Sequence, residues 1–497
     1  MRLSTIAPVL TGVAIGFTAA PASGQALSWL PDGARAVLSC VQTGNPQIAA
    51  AFLQSRVEFD RARAHDGFYQ PRVSVAAGAT RGPSAAPESL LASRIGGEAA
   101  SAQAGLLVPL RAGAYLGVGA AQRYLFEADG FEDLGQSAVG VRFEIPLLQN
   151  RGFRSQILNQ AALDAAAIAA HDASRTVRQQ IARDALVLYA NWIYAAADVR
   201  ESTRAVERVS RLLEETRGRV DMQTVPAYQI FSAQMEVAFR QEELRLSQSL
   251  LQQAGHSLAS VLGGGAVDER SVDPALLRPW ASLCATTGVE RLMELTVDRP
   301  ERMQAVQAVE AAEALAGAAR EALRSNLALA GGVGYQAEDE NGGLGRDDLL
   351  SDPRGGAEIA LVWSRPLAFD AEEARVRAQE AAVASARAAL RGVELEIAAE
   401  QARARAVLAA ARDRLGMVDQ AVGEAQRALA AEEQRLALGE GRSRNVLDAQ
   451  KDLTDAERRA NVAALDMIVA FTQMLHAAGV PLLSSEENDH GPLDPAA

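Results

Sequence analysis

Residues 139–153 read Val139-Gly140-Val141-Arg142-Phe143-Glu144-Ile145-Pro146-Leu147-Leu148-Gln149-Asn150-Arg151-Gly152-Phe153, and the period of the chain changes within them. Up to Ile145 the residues alternate: Val139, Val141, Phe143 and Ile145 on one side, Gly140, Arg142 and Glu144 on the other. That is the two-residue period of a strand with one apolar face. Beyond the junction, the 65 residues from Phe153 to Arg217 contain neither glycine nor proline. They are dense in alanine, glutamate, arginine, glutamine and leucine, all good helix formers. An ordinary helix has about 11 or 12 residues, so a single helix here lies far outside the globular norm. It needs neighbours to lie against, as in a coiled coil or a tube.

The same passage recurs. An offset of 220 carries Ile145-Pro146-Leu147 onto Arg365-Pro366-Leu367, and from Leu367 to Val480 there is no proline. An offset of 254 carries Pro46 onto Pro300 and Val73-Ser74-Val75 onto Leu327-Ala328-Leu329. An offset of 216 carries Phe231-Ser232-Ala233-Gln234 onto Leu447-Asp448-Ala449-Gln450, and Leu262-Gly263 onto Ala478-Gly479. Ordered matches of this kind mark an internal duplication. Each copy reads helix, strand, loop, strand, very long helix, turn, helix. The expected organisation is a first repeat over 25–264 with helices at 153–217 and 226–262, a linker at 265–287, and a second repeat over 288–479 with helices at 367–438 and 442–478. The fall in offset leaves 34 extra residues between the strands of the first repeat. They include Leu106 to Leu125, interrupted by Arg111-Ala112-Gly113, so an additional hairpin within 103–128 is left open.

Outside the repeats, Arg2, the apolar stretch Ile6–Ala20 and the small residues Ala20-Pro21-Ala22-Ser23-Gly24 have the three-part pattern of a secretory signal peptide over 1–24. The acidic, glycine- and proline-containing residues 480–497 read as a disordered tail. No later stretch reaches the ~18 uncharged apolar residues of a membrane-spanning helix. Two distant cysteines, Cys40 and Cys284, make no disulfide framework. A formal charge of −13 offers no basic stripe for nucleic acid.

Three further segments alternate like 139–145: Val73, Val75, Ala77 and Ala79; Leu327, Leu329, Val333 and Tyr335; Ile359, Leu361 and Trp363. A strand that crosses a membrane needs roughly nine to eleven such residues. A half-buried soluble sheet alternates in the same way, and alternation alone does not separate the two. The long polar segments between strand pairs, such as Glu338 to Pro353, and the aromatics Phe68, Tyr69, Tyr124, Phe126, Phe131, Tyr335 and Trp363 nearby favour the membrane. Four strands do not close a barrel, since closed barrels have at least about eight, so membrane strands require an oligomer of this chain.

The residues Arg435-Leu436-Ala437-Leu438-Gly439-Glu440-Gly441-Arg442-Ser443-Arg444-Asn445-Val446-Leu447-Asp448-Ala449-Gln450 resemble the repeat motif of the TolC-type outer-membrane efflux proteins. Pro146–Gly152, with Asn159 and Ala162, is similar to that family's strand-to-helix junction, and Asn45-Pro46 and Arg299-Pro300 resemble its repeat openings. The resemblance spans about residues 33 to 480. It implies a mostly helical chain with membrane strands: a two-repeat protomer of a homotrimer, with a twelve-stranded β-barrel in the outer membrane continued by a helical barrel through the periplasm. It further implies an export duct served by a periplasmic adaptor and an inner-membrane transporter, in a tripartite efflux pump or a type I secretion system.

Each long helix leaves a strand directly, so the turns Arg217–Pro226 and Gly439–Arg442 are expected to form the periplasmic mouth. By the resemblance, Asp448 matches an acidic position of the ring that narrows this mouth. Asn445 occupies the other acidic position, Gly441 replaces a gate-holding arginine, Leu436 replaces an aromatic residue, and Gln229 replaces an acidic partner in the first repeat. Three Asp448 carboxylates in one mouth would repel each other and favour cations, with Leu436 offering a hydrophobic latch. Asp448 equally suits a helix N-terminus, where the dipole favours an acid.

No catalytic, cofactor or metal constellation is apparent. His65, His171, His256, His476 and His490 are scattered, and Gly263-Gly264-Gly265 lacks the Lys-Ser/Thr of a phosphate loop. The acids between Glu338 and Asp348 do not have the spacing of a twelve-residue calcium loop. The competing class is a soluble periplasmic coiled-coil scaffold or adaptor, with the same helices and no membrane strands.

Overall fold

A computed structural model describes residues 29–81, 98–126, 133–223, 225–264, 272–287, 299–339, 354–438, 440 and 442–483. The signal-peptide residues 1–24 and the tail beyond 483 lie outside the described residues. The chain forms two compact units, one from residues 46–177 and 298–399, the other from 1–45, 178–297 and 400–497.

The first unit is built around one antiparallel sheet. Its six strands, β1 (Arg72–Arg81), β2 (Glu98–Leu110), β3 (Ala114–Phe126), β4 (Asp133–Pro146), β5 (Asn326–Asp339) and β6 (Arg354–Ser364), lie side by side in chain order. The four-strand count from the sequence is therefore corrected: the extra residues of the first repeat form the β2–β3 hairpin, inserted between β1 and β4. On β2 the face that carries Leu106, Val108 and Leu110 has only Ala100, Ala102 and Ala104 earlier in the strand, where valine and leucine would have shown the period, which is why alternation was silent over Glu98–Gly105. β4 pairs with β5, joining the two repeats through Val141 opposite Val333 and Ile145 opposite Leu329. Helices α2 (Pro46–Asp66) and α6 (Pro300–Glu321) precede the strands of each repeat. The first turns of two 68-residue helices, α3 (Arg154–Asp221) and α7 (Asp370–Ala437), follow β4 and β6.

The second unit is helical. It holds α1 (Asp32–Gly44), the later parts of α3 and α7, α4 (Tyr228–Val261), α5 (Leu277–Thr286) and α8 (Ser443–Ala477). On α8 the buried residues Val446, Gln450, Leu453, Ala460, Ala464, Met467, Phe471 and Met474 fall on steps of three, four and seven. On α7 Ala404, Leu408, Ala411, Leu415, Val422, Leu429 and Leu436 keep the same 3.5-residue repeat. This period is the seam of a left-handed coiled coil. Alanine at many of these positions lets backbones approach closely. Residues 444–477 are apolar and long enough to cross a membrane, but 72% of their most apolar stretch is buried within this unit, so they serve as its core.

At one end of this unit Trp29, Trp280 and Phe471 form an aromatic cluster, with the Trp29 and Phe471 ring centroids 4.9 Å apart. Cys284 is buried on α5, while Cys40 is exposed on α1. The Asn45 side-chain amide donates to the Val261 carbonyl at 2.8 Å, tying the ends of α1 and α4 together. Val480, Leu482 and Leu483 are buried, and the Leu482 N–H donates to the Gln179 side chain. Packing thus continues past residue 480, where sequence reading placed the start of the tail.

Candidate functional site

The sheet has two chemically distinct faces. One row of paired residues runs Val73, Leu106, Val118, Val141, Val333, Ala357 across all six strands. Rows on the same side bring together Phe143 with Leu116, Leu329 with Leu361, and Leu327 with Trp363. This face is apolar from edge to edge and uncovered: Val75 is 77% exposed, Ile359 74%, Trp363 63% and Tyr335 56%. A contiguous apolar surface of this kind marks a membrane or partner contact. Gly331 makes room on it for the Phe143 ring, which would lie 2.7 Å from an added Cβ.

The opposite face is small and polar. One row reads Ser74, Gly105, Gly119, Gly140, Gly334, Gly356, so five successive strands present no side chain at that level. The next row carries Arg72, Leu107, Gly117, Arg142, Gly332 and Glu358, where Gly117 leaves the space that the Arg142 side chain fills. Ser74, Gln103, Arg142, Gln336, Arg354 and Glu358 all line one broad open hollow over the sheet. Apolar outside and polar inside is the division of a barrel wall between lipid and water.

The strand-to-helix junction is held by unusual backbone. Asn150 (φ 56°), Gly152 (φ 64°) and Phe153 (φ 55°) are all left-handed, a region costly to residues with a side chain. Asn150 offsets part of that cost by capping α3: its Oδ1 accepts from the Ser155 N–H at 2.9 Å and hydroxyl at 2.7 Å. Phe153 is fully buried among Phe68, Tyr69 and Tyr115, with ring centroids 5.2, 6.2 and 4.8 Å away. The turn of the inserted hairpin docks on the same spot. Gly113 has φ 88°, and a Cβ on it would meet the Gly152 Cα at 2.3 Å, while Arg111 stacks over Tyr69. The hairpin is thereby fixed to the strand-to-helix junction at this end of the sheet.

In the helical unit, the turn between α7 and α8 is held by a cluster of Leu429 and Leu436 from α7, Val446 and Leu453 from α8, and Leu212 from α3. Leu436 therefore sits in helix packing, 7% exposed. Asn445 is exposed, and its side-chain amide donates to Glu432 at 3.4 Å. Asp448 is exposed one turn further on, 4.0 Å from Arg444. Gln229 lies in the first turn of α4, its Oε1 buried without a partner among the described residues. Gly441 lies outside the described residues.

Sequence reading missed a polar knot that ties α3, α4 and α8 together. Arg458 donates to Glu243 at 3.0 Å and to the Ser202 hydroxyl at 3.1 Å, and pairs with Asp198. Arg240, 6% exposed, bridges Glu236 and Glu243. Burial works against ionisation of Glu243, but hydrogen bonds from Arg458 and Arg240 outweigh it and hold the carboxyl below its usual range. Glu457 goes the other way: burial and the nearby Glu201 charge raise it, against Arg208 and Arg278. A second missed feature is an exposed stripe on α4, formed by Tyr228, Phe231, Met235, Phe239, Leu246 and Leu250. Steps of three and four between its residues were the available signal. Among the described residues, no group of three or more His, Cys, Asp and Glu side chains is placed to hold a metal.

The chain thus combines long helices with coiled-coil periodicity and a sheet with one apolar and one polar face. Residues 292–480 match the family described as outer membrane efflux protein. No curated protein matches the sequence. Among solved structures, the fold is similar to that of the outer membrane protein VceC from Vibrio cholerae, with TM-score 0.66, 18% identity, and 90% of this chain and 96% of that chain covered. It is similar as well to a membrane protein from Pseudomonas aeruginosa, with TM-score 0.68, 19% identity, and 93% and 95% covered. A third is the MtrE outer membrane channel of Neisseria gonorrhoeae, with TM-score 0.65, 15% identity, and 90% and 89% covered.

Proposed function

We propose that three copies of this chain form an export duct across the outer membrane and into the periplasm, passing cargo handed over by a periplasmic adaptor and an inner-membrane transporter. The observation that carries this reading is the edge-to-edge apolar face, exposed on one side of a sheet whose other side is polar and nearly bare. One copy cannot close: six strands fall short of the about eight of the smallest barrels, and open edges in lipid would cost several kcal/mol for each unpaired backbone group. The α4 stripe is a second surface in need of a partner, and a neighbouring copy covers it in a helical tube.

At the mouth, Asp448, Asn445 and Gln229 are the polar residues beside the turns, and the Leu436 cluster serves as the latch. Asp448 supplies cation preference. The two repeats, 25–264 and 288–479, contribute equivalent helix pairs to the tube.

Membrane fractionation tests the reading. The chain is expected to stay with outer membranes through high-salt washing, to require detergent for release, and to run as a heat-sensitive oligomer on an unboiled gel. A chain that washes off in salt as a monomer is a scaffold or adaptor instead.

A further inference from the structure

The inserted hairpin changes the barrel. We infer that the assembled wall has eighteen strands, six from each of three copies, closed by antiparallel pairing of β6 of one copy with β1 of the next, and that its lumen is correspondingly wide. This rests on the trimeric duct proposed above.

Three observations carry it. First, β2 and β3 are full members of the sheet. Each has 13 residues, enough to cross a bilayer, and each is paired along its length with both neighbours. Their outward residues Leu106, Val108, Leu116 and Val118 continue the apolar face without a step, and the hairpin turn is pinned to the strand–helix junction through Gly113 on Gly152. Second, the two ends of the sheet suit each other. A meander of six strands starts and ends in opposite directions, so the next copy's β1 meets β6 antiparallel and the alternation continues around a ring. The most exposed apolar side chains of the sheet lie on these two strands: Val73 and Val75 on β1, Ile359, Leu361 and Trp363 on β6. Third, the inner face is built for space. The row from Gly105 to Gly356 places five glycines per copy at one level, two of them, Gly105 and Gly119, on the hairpin itself. Barrel diameter grows roughly linearly with strand number, and barrels of 16–18 strands leave an aqueous channel. The inferred occupant is therefore a solute too large for a twelve-stranded wall of the same design.

Electron microscopy of the full-length oligomer in detergent counts the strands directly. Eighteen strands with a β6–β1 seam between copies supports the inference. Twelve strands with β2–β3 folded out of the wall overturns it and leaves the duct reading intact. A monomer with no closed wall overturns both. Single-channel recording adds an independent measure: a variant lacking residues 98–126 is expected to conduct about 0.4 of the wild-type current, as the square of the strand ratio, and to exclude smaller polyethylene glycols. Unchanged conductance and cut-off in that variant would count against the hairpin as wall. Should the variant not fold, the strand count of the intact protein still decides.

Discussion

Phe153 is fully buried with a left-handed backbone, between a strand and a helix of 68 residues. A phenylalanine tolerates that conformation only because its ring fills the space among Phe68, Tyr69 and Tyr115. Phe153→Ala is expected to lose about 3–5 kcal/mol, the range for a buried aromatic, read as lowered thermal stability of the detergent-solubilised protein. Gly113 and Asn150 belong to the same knot but were legible only as turn residues. Their left-handed or close-packed geometry depends on a contact between the hairpin turn and the junction, which lies 39 residues away in sequence, from Gly113 to Gly152. At the mouth, Asp448 is exposed on the first turns of α8, where both a pore acid and a helix-dipole acid belong. Asp448→Ala is expected to lower the cation-to-anion permeability ratio in planar bilayers while thermal stability changes by less than about 1 kcal/mol. Unchanged selectivity would remove it from the pore.

Among the elements, the long helices were legible because their signal is compositional and continuous, with no glycine or proline to interrupt it. What they pack with was less so. The polar knot of Arg458, Glu243, Asp198 and Ser202 joins three helices through residues 260 positions apart, Asp198 to Arg458, and no spacing rule connects them. Glu243 of this knot and Glu457, the residue before Arg458, respond to pH with opposite sign. The Glu243 pKa is lowered in the folded state, so its contribution is present above the unfolded value, roughly 4.3, and is lost as pH falls through the folded value. Glu243→Gln should therefore lower the melting temperature at neutral pH, and the difference should close in acid. The Glu457 pKa is raised, so the ionised carboxylate weakens the fold as pH rises above roughly 4.3. Glu457→Gln should raise the melting temperature at neutral pH and match wild type in acid. Melting curves across pH 4 to 7 check both signs at once. On α4, Phe239 is 56% exposed in the middle of the apolar stripe. Phe239→Glu places a charge where a neighbouring copy is expected, and should shift the protein from oligomer to monomer in native mass measurements while helical content is kept.

For the whole molecule, the fold class rested on one contrast that the sequence does show: alternation that stops at Ile145 and a helix that begins at Phe153. Which side of the sheet is apolar was readable too, since valine, isoleucine and tryptophan share one phase on four strands. The hairpin stayed open within 103–128 and its start at Glu98 was missed, because alanine and glycine over Glu98–Gly105 satisfy a strand, a helix or a loop almost equally, and only pairing with β1 and β3 fixes their register. Nor does a single chain show its closure, because the missing partner of each sheet edge is another copy. The central claim is that these faces enclose water inside a membrane. Adding the detergent-purified oligomer to a planar lipid bilayer tests it most directly. Discrete, uniform, long-lived current steps are expected, and they disappear when the oligomer is first dissociated by heat. A protein that leaves the bilayer silent, and stays monomeric and soluble once detergent is removed, would contradict it.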